Sequence, residues 1–588
     1  MRPARIAAVL VAALFLVPSA AAGTTPSTVT VLPAPSLTQP AKPERTESGV
    51  VAKFLAVGKV HDWVSRYPKA SLVTQADFRP ATRDWSVGVW SGAAGEIASG
   101  RVDDLTGATT QAYTGPQVAW PMARGDSGAF GGKEINSWPV WLAFCAVFLL
   151  GLADLRRPFS LRNLDLLALL SFSVSLWFFN HGLIFSSVPL VYPGLVYLLV
   201  RSIVIGTRGR PVRASPPVWP IWVLAAATVF LAGFRVTLNV TDSNVIDVGY
   251  SGVVGAQRIS SGVSPWGHFP VAEGKPCSPR DANGDYPWRI QTNGRCESAD
   301  PNGDTYGPLA YEAYLPGYAA VGWKGKGDSL DAARFTSVAF DLLAILGLAL
   351  VGRRFGGHRL AVTLAFAWAA FPFSQYVSSS NTNDAIQPVF LIFGFWLASS
   401  PPARGTFAAL ASWTKFAPLV VVPLWAAYPD RKLRPALVFA AAFLAATIAA
   451  FSILLLDADP LHAARVFYDR TIPHQIGRQS PFSLWDWRQY HAGLPDLHVL
   501  QWALEGLLVV GALAVAWVPR RKSPLQLAAF TGALLIGFEL VLTHWFYAYL
   551  AWFFPFFAFA VLSPAAERAP AEVTEPHGRP ARELVTAG

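Results

Sequence analysis

Residues 217–236 read PVWPIWVLAAATVFLAGFRV, and the chain continues through Thr241-Asp242-Ser243-Asn244-Val245-Ile246-Asp247-Val248-Gly249-Tyr250, with Ser264-Pro265-Trp266-Gly267 close behind. The first stretch is long and apolar enough to cross a bilayer, since about 20 helical residues span the roughly 30 Å hydrocarbon core. The second sets two carboxylates at the mouth of that span. Carboxylates there are poorly placed for pure structure and well placed for chemistry on a lipid-borne substrate.

The same apolar character recurs along the chain. Of its 588 residues, 53% are hydrophobic and 14% charged, and apolar runs fall at about 138–153, 163–180, 187–206, 217–236, 334–351, 359–376, 385–399, 435–456, 501–518, 525–543 and 545–562. In lipid only elements that satisfy their own backbone survive, so runs of this length are read as helices. Basic clusters lie at Arg156/Arg157/Arg162, Arg208/Arg210/Arg213, Arg353/Arg354/Arg359, Arg404, Arg431/Lys432/Arg434 and Arg520/Arg521/Lys522. With the amino-terminal segment outside, every cluster lands in the cytoplasm, as the positive-inside rule expects. Two large external loops remain, about 237–333 and 457–500. The net charge of +10 has this origin and argues against a nucleic-acid partner. Residues 405–427 are apolar, contain Lys415 and lie between two cytoplasmic clusters. They are too short for two crossings, so a re-entrant pair of short helices shielded by protein is expected.

The front of the chain differs. Met1 to Ala22 has Arg2 and Arg5, an apolar run and Ala20-Ala21-Ala22 before Gly23, the pattern of a signal peptide; an uncleaved first helix is the rival reading. Residues 23–48 are rich in Pro, Thr, Ser and Ala and read as a flexible linker. Val50 to Tyr67 has helical periodicity and ends at Pro68. Strand-like segments follow at Ser71–Phe78, Asp84–Ser91, Glu96–Asp103 and Thr109–Tyr113, with a tight-turn signal at Asp103-Asp104-Leu105-Thr106-Gly107. Residues 49–135 are therefore read as a small α+β extracytoplasmic domain. The segment resembles a PepSY-type domain over about seventy residues, and the resemblance implies a docking or regulatory module; a spacer fold is the alternative. The predicted fold class is an all-α polytopic membrane bundle of about 11 transmembrane helices plus a re-entrant segment, with this domain in front. Residues 136–216 are accessory spans, 217–563 the core and 564–588 a cytoplasmic tail.

A sugar-transfer reaction needs a base for the acceptor hydroxyl, and a positioned carboxylate supplies one. Asp247 and Asp242 are the leading candidates, with helix capping as the rival role for each. Asp247-x-x-Tyr250, Ala256, Gly262 and Ser264-Pro265-Trp266 resemble the first external loop of C-type glycosyltransferases, integral membrane enzymes that use polyprenyl-phosphate sugars. Tyr306-Gly307-Pro308 with Leu315-Pro316, Ala333-Arg334 with Ser337, Asn381-Thr382-Asn383-Asp384, Thr414-Lys415-Phe416-Ala417-Pro418 and His544-Trp545-Phe546 follow in the order of that family, over residues 217–562. The departure is at the front, where three spans and a soluble domain precede the Asp loop.

The resemblance implies single-displacement, inverting transfer from a polyprenyl-phosphate sugar to an extracytoplasmic acceptor: a cell-envelope glycan, a lipid or a protein. Asp247 is expected as base, with Asp242 assisting. Tyr250, Tyr306, Trp266 and Asp384 are expected around the substrate. Arg334, Lys415, His544 and Arg478 are candidates for the donor phosphate, because guanidinium and ammonium groups bind it well. Arg470 and His474 are weaker ones. Lys415 lies inside an apolar hairpin and needs a partner, either the donor phosphate or an internal carboxylate such as Asp384.

Asp281-x-Asn283-Gly284-Asp285 and Asp300-x-Asn302-Gly303-Asp304 resemble the start of calcium loops, so a divalent cation is a possible cofactor. Neither runs on to a terminal Glu, and Asx-turns are the preferred reading. Cys277 and Cys296 share an external loop, and a bridge between them would stabilise it by about 3 kcal/mol. No Gly-rich phosphate loop is present, which disfavours a nucleotide site. A transporter or flippase, and a sensor or assembly factor, are the competing functions.

Overall fold

A computed structural model of the chain describes residues 42–125, 127–211, 218–269, 289–290, 296–297, 303–324, 330–491 and 493–564. The expected signal segment, Cys277, Asp281, Asp285 and Asp300 lie outside the described residues, and so does the proposed Cys277–Cys296 pairing.

Helices α1 (Glu47–Leu55) and α2 (Gly58–Val64) precede strands β1 (Leu72–Arg79), β2 (Asp84–Ser91), β3 (Glu96–Asp103) and β4 (Thr109–Thr114). The strands form an antiparallel meander of order β1-β2-β3-β4. Trp85, Val87 and Val89 alternate onto one face of β2, as a strand's period of two requires. They pack with Val50, Phe54, Val60 and Trp63 of the two helices. The Asp103–Gly107 signal is the β3–β4 turn, where Asp103 Oδ1 accepts from Thr106 N at 2.6 Å and from its hydroxyl at 2.7 Å.

Asp104 beside it is fully buried and gathers Glu44 N (2.9 Å), Arg45 N (3.2 Å) and Trp85 Nε1 (2.9 Å), with Arg83 at 3.6 Å. Burial alone would raise this carboxyl, but the hydrogen bonds hold it below its ordinary range. Asp104→Ala leaves the Trp85 donor buried without an acceptor and is expected to cost about 1–3 kcal/mol. Limited proteolysis of the full chain in rising urea measures this. Cleavage within residues 42–125 at wild-type urea would contradict it.

The rest of the chain is helical: α3 (Trp138–Leu152), α4 (Leu161–Asn180), α5 (Val191–Arg208), α6 (Ile221–Thr241), α7 (Asp247–Ser260), α8 (Asp331–Ala370), α9 (Pro372–Ser380), α10 (Ile386–Trp396), α11 (Pro401–Thr414), α12 (Val422–Ala426), α13 (Leu433–Phe451), α14 (Pro460–Gly477), α15 (His498–Trp517), α16 (Pro524–Val541) and α17 (Leu550–Leu562), with shorter turns between. Among the described residues, seven helices are long and apolar enough to cross a membrane. The chain is a helical membrane protein with a small sheet near its amino terminus.

The structure is less regular than the expected set of spans. α8 takes in two of them; it breaks at Gly357 (φ 76°, ψ −169°), and a Cβ on Gly352 would sit 2.5 Å from the Ala361 Cα, so its arms lie back to back. The expected span at 385–399 is the 11-residue α10. α3 and the apolar helix Tyr547–Leu562 are also shorter than a full crossing.

Two ion pairs join helices inside the bundle. Arg235 of α6 grips Asp341 of α8 through two nitrogens, one of them at 2.8 Å, while Trp368 Nε1 donates to the same carboxylate at 2.8 Å. Asp165 of α4 accepts from Arg201 (2.6 and 2.8 Å) and Tyr197 (2.7 Å) of α5. Charges so deep persist only when paired and hydrogen-bonded, so these fix how the helices meet.

The segment with Lys415 is a hairpin. α11 runs in, the helix stops at Lys415, and a 3₁₀ turn (Ala417–Val421) and α12 run back. Arg404 ties its feet together, donating to Trp425 O (3.1 Å), Tyr428 O (2.7 Å) and Ala398 O. Lys415 is thereby carried to the tip.

Candidate active site

The tip of this hairpin meets the turn between α9 and α10. Asn381 there takes the left-handed conformation (φ 53°, ψ 41°), which Asn tolerates better than most residues. Its Nδ2 donates to Ser243 Oγ and Asn244 O, each at 3.0 Å, and the N–H groups of Asn244 and Ile246 donate to Ser379 O (3.1 Å) and Ser380 O (3.3 Å). The loop entering α7 is thus laced onto the α9–α10 turn. Gly249 makes the fit possible, because a Cβ there would stand 2.2 Å from Asn381 O. Asp247 opens α7 in this loop and is exposed.

Asp384 closes the same turn. It is buried and accepts from Lys415 Nζ at 2.7 Å, Trp552 Nε1 at 3.0 Å and the Thr382 hydroxyl. The Lys415 ammonium also faces three rings: Tyr549 at 5.0 Å, Trp552 at 5.4 Å and Tyr306 at 5.7 Å from their centroids. Ring faces attract a cation and hold it without neutralising it. Among the described residues, Asp384 is its acidic partner.

His544 stands beside this cage. Its Nδ1 is 2.9 Å from Ser480 Oγ and its Nε2 is 3.4 Å from Arg478 Nη2. A guanidinium only donates, so Nε2 is the acceptor and the Nδ1–H tautomer is assigned from the contacts. Burial, then Arg478 and Lys415, hold the imidazole well below its ordinary pKa. His544 is therefore neutral near pH 7 and orients Arg478 instead of adding a charge of its own. Tyr549 lies within electrostatic reach of Asp384, Arg478 and Asp247. One end of the bundle thus holds Lys415 and Arg478, the carboxyl groups of Asp384, Asp247 and Glu539, and an aromatic cage.

The depressed imidazole has a measurable consequence. Below the ordinary value of 6.5 the unfolded chain takes a proton that the native site refuses, so this group subtracts stability as pH falls. Wild type should lose thermal stability between about pH 7 and pH 5 more steeply than His544→Gln. Parallel slopes for the two proteins in detergent would refute the assignment.

The other expected residues occupy different positions. Asp242 ends α6 and its Oδ2 accepts from Glu134 N at 2.5 Å, a C-terminal position and not the N-cap weighed above. Arg334 bonds Asp331 (2.9 Å) and Ser243 Oγ (3.2 Å), so it braces the Asp247 loop. Tyr250 and Trp266 are each 1% exposed, in an aromatic core with Tyr311, Tyr314 and Phe269. Both rings are buried in that core. Ser264 is anchored on Asp457, and Asp304 is fully buried, accepting from Gly267 N and from Arg470, each at 2.9 Å. Arg470 thus clamps the 237–333 and 457–500 segments together. Among the described residues no group of three His, Cys, Asp or Glu side chains is placed to hold a metal ion.

Tyr549, Trp552 and Ser480 were not anticipated. Tyr549 and Trp552, three residues apart on the helix after His544, stack at 4.1 Å and give an aromatic spacing that could have drawn notice. Ser480 carried no signal. Glu539, buried near the end of α16 and accepting from Trp545 Nε1 at 3.1 Å, is a carboxylate inside an expected span and was visible as such.

The chain matches no known protein-family model and no curated protein. Solved structures similar to it over part of its length include the following two. ArnT from Cupriavidus metallidurans bound to undecaprenyl phosphate aligns at 14% identity and TM-score 0.36, over 58% of this chain and 59% of its own. The oligosaccharyltransferase of Archaeoglobus fulgidus, in the apo form, aligns at 14% identity and TM-score 0.32, over 57% of this chain and 50% of its own. The chain thus spans less than two thirds of either. A likeness of this degree leaves function to be argued from this chain's own residues.

Proposed function

We propose that the protein is a membrane glycosyltransferase of the C type that moves one sugar from a polyprenyl-phosphate donor to an extracytoplasmic acceptor, a cell-envelope glycan, lipid or protein. The observation that carries this reading is the caged Lys415–Asp384 pair, with Arg478 and Asp247, at one end of an apolar helical bundle. A lipid phosphate arrives at that depth with its tail in the bilayer, and two cations meet it where water is scarce. Asp247 takes the proton from the acceptor hydroxyl as its oxygen attacks the anomeric carbon. The bond from that carbon to the phosphate oxygen breaks, and polyprenyl phosphate leaves with the electron pair. Lys415 and Arg478 stabilise the growing charge on that oxygen. Attack opposite the leaving group inverts the anomeric centre.

The test is transfer by purified protein supplied with radiolabelled polyprenyl-phosphate sugars and membrane extract as acceptor. Label passing to the acceptor with one donor supports the reading and names the sugar. A folded protein that transfers from none of them overturns it.

A further inference from the structure

The amino-terminal domain does not hang free of this site. After β4 the chain crosses the site end of the bundle as a strap, residues 115–125 and 127–136. At its start Trp120 donates to the Tyr490 hydroxyl at 3.0 Å and sets its ring against His544 (5.9 Å between centroids) and edge-on to Phe482 (5.5 Å). In the middle Phe130 packs on Phe546 at 4.7 Å, and Ala129 O accepts from Asn244 Nδ2 at 2.6 Å. At its end Glu134 N donates to Asp242 at 2.5 Å. The strap touches the cationic half of the site through His544 and the carboxylate half through the loop that opens α7. The domain has a separate anchor, where Trp63 stacks on Phe185 at 5.7 Å and Arg66 reaches His491 at 2.9 Å.

We infer that the strap is a wall of the active site and that Trp120 is a positioning residue, holding the His544 ring so that it orients Arg478 toward the donor phosphate. The inference rests on the transferase reading for its chemistry, and on geometry alone for the shielding of His544. His544 has a hydroxyl and a guanidinium on its two nitrogens and aromatic rings, Trp120 and Phe482, against its faces and edges. Removing Trp120 frees the imidazole to turn and releases Arg478 with it. Tyr490 and Phe482 both lie in the second external loop, so the same tryptophan also sets that loop against the strap.

The test compares full-length wild type, Trp120→Ala, Trp120→Phe and Phe185→Ala. Two quantities are read: kcat and KM for the polyprenyl-phosphate sugar, and the rate at which diethyl pyrocarbonate modifies His544, located by mass spectrometry. Trp120→Ala is expected to lower kcat by about 10- to 100-fold, the scale of a misplaced catalytic group, and to speed His544 modification several-fold. Trp120→Phe keeps a ring against His544 and should restore most of both. Phe185→Ala loosens the separate anchor and should stay near wild type in both. Wild-type modification and wild-type kcat in Trp120→Ala would overturn the inference while leaving the transferase reading intact. A loss in Phe185→Ala equal to that in Trp120→Ala would also overturn it, since docking alone would then explain the effect. Should wild type transfer no sugar, the transferase reading falls, and the His544 modification rate decides whether the strap shields the site.

Discussion

Lys415→Met is expected to slow sugar transfer by roughly 10²- to 10³-fold and to lower stability by about 3–5 kcal/mol. Both effects come from one ammonium. In the resting protein it lies 2.7 Å from the buried Asp384 carboxylate, inside a cage of Tyr306, Tyr549 and Trp552. Methionine fills the space and stacks acceptably on aromatic rings, so packing is kept and the charge alone is lost. Asp384 retains Trp552 Nε1 and the Thr382 hydroxyl but no counter-charge, and an uncompensated buried carboxylate is what makes breaking such a pair costly.

The two effects separate in the double variant Lys415→Met/Asp384→Asn. Its amide oxygen still accepts from Trp552, and no charge is stranded, so most of the stability returns. Activity does not return, because nothing replaces the cation at the phosphate. Thermal melts and transfer rates on the four proteins of this cycle are the measurement. Recovery of both together would mean that Lys415 only holds the fold; recovery of neither would mean that Asp384 has a role beyond pairing.

Lys415 was legible in the sequence for one physical reason, and Asp384, just before the span at 385–399, was named as its acidic partner. An ionisable residue inside an apolar stretch must be paired or must act, so its type and place are informative by themselves. The hairpin followed from length, since 405–427 cannot cross twice, and the structure closes it through Arg404. The amino-terminal sheet followed from alternation and turn chemistry.

What stayed hidden was partnership. Arg235 and Asp341 each sit in an expected span, but nothing in two segments 106 residues apart announces a shared ion pair. Trp120 and His544 are further apart still. Aromatic residues were misleading for a related reason. Tyr250 and Trp266 lie in the loop that carries Asp247, and a large ring suits a substrate wall or a core equally well; here Tyr311, Tyr314 and Phe269 claim them for a core. The breaks at Gly357 and Asn381 fall between expected spans, but the expected span 359–376 is itself interrupted at Phe371, where α8 gives way to α9, because the length of a hydrophobic run says little about where the helix inside it stops.

Asp247→Asn should fold as wild type does and transfer sugar 10²- to 10⁴-fold more slowly, the range for a lost general base. The substitution keeps size and shape at the first residue of α7. It removes a negative charge from the first turn of a helix whose N-cap is Ile246, so stability should change by no more than about 1 kcal/mol. What disappears is the capacity to accept the acceptor's proton. The contrast is with Asp242, five residues earlier. Asp242 spends one carboxylate oxygen on Glu134 N and ends α6, whereas Asp247 is exposed and within electrostatic reach of Tyr549. Asp242→Asn keeps an oxygen that can accept from Glu134 N, so stability should change by no more than about 1 kcal/mol, with a far smaller loss of rate. Steady-state transfer and thermal melts on the two single variants decide between the carboxylates. If the larger rate loss falls on Asp242, proton abstraction passes to the residue at the end of α6, and the lacing of the Asp247 loop onto the Asn381 turn must serve to position that residue instead.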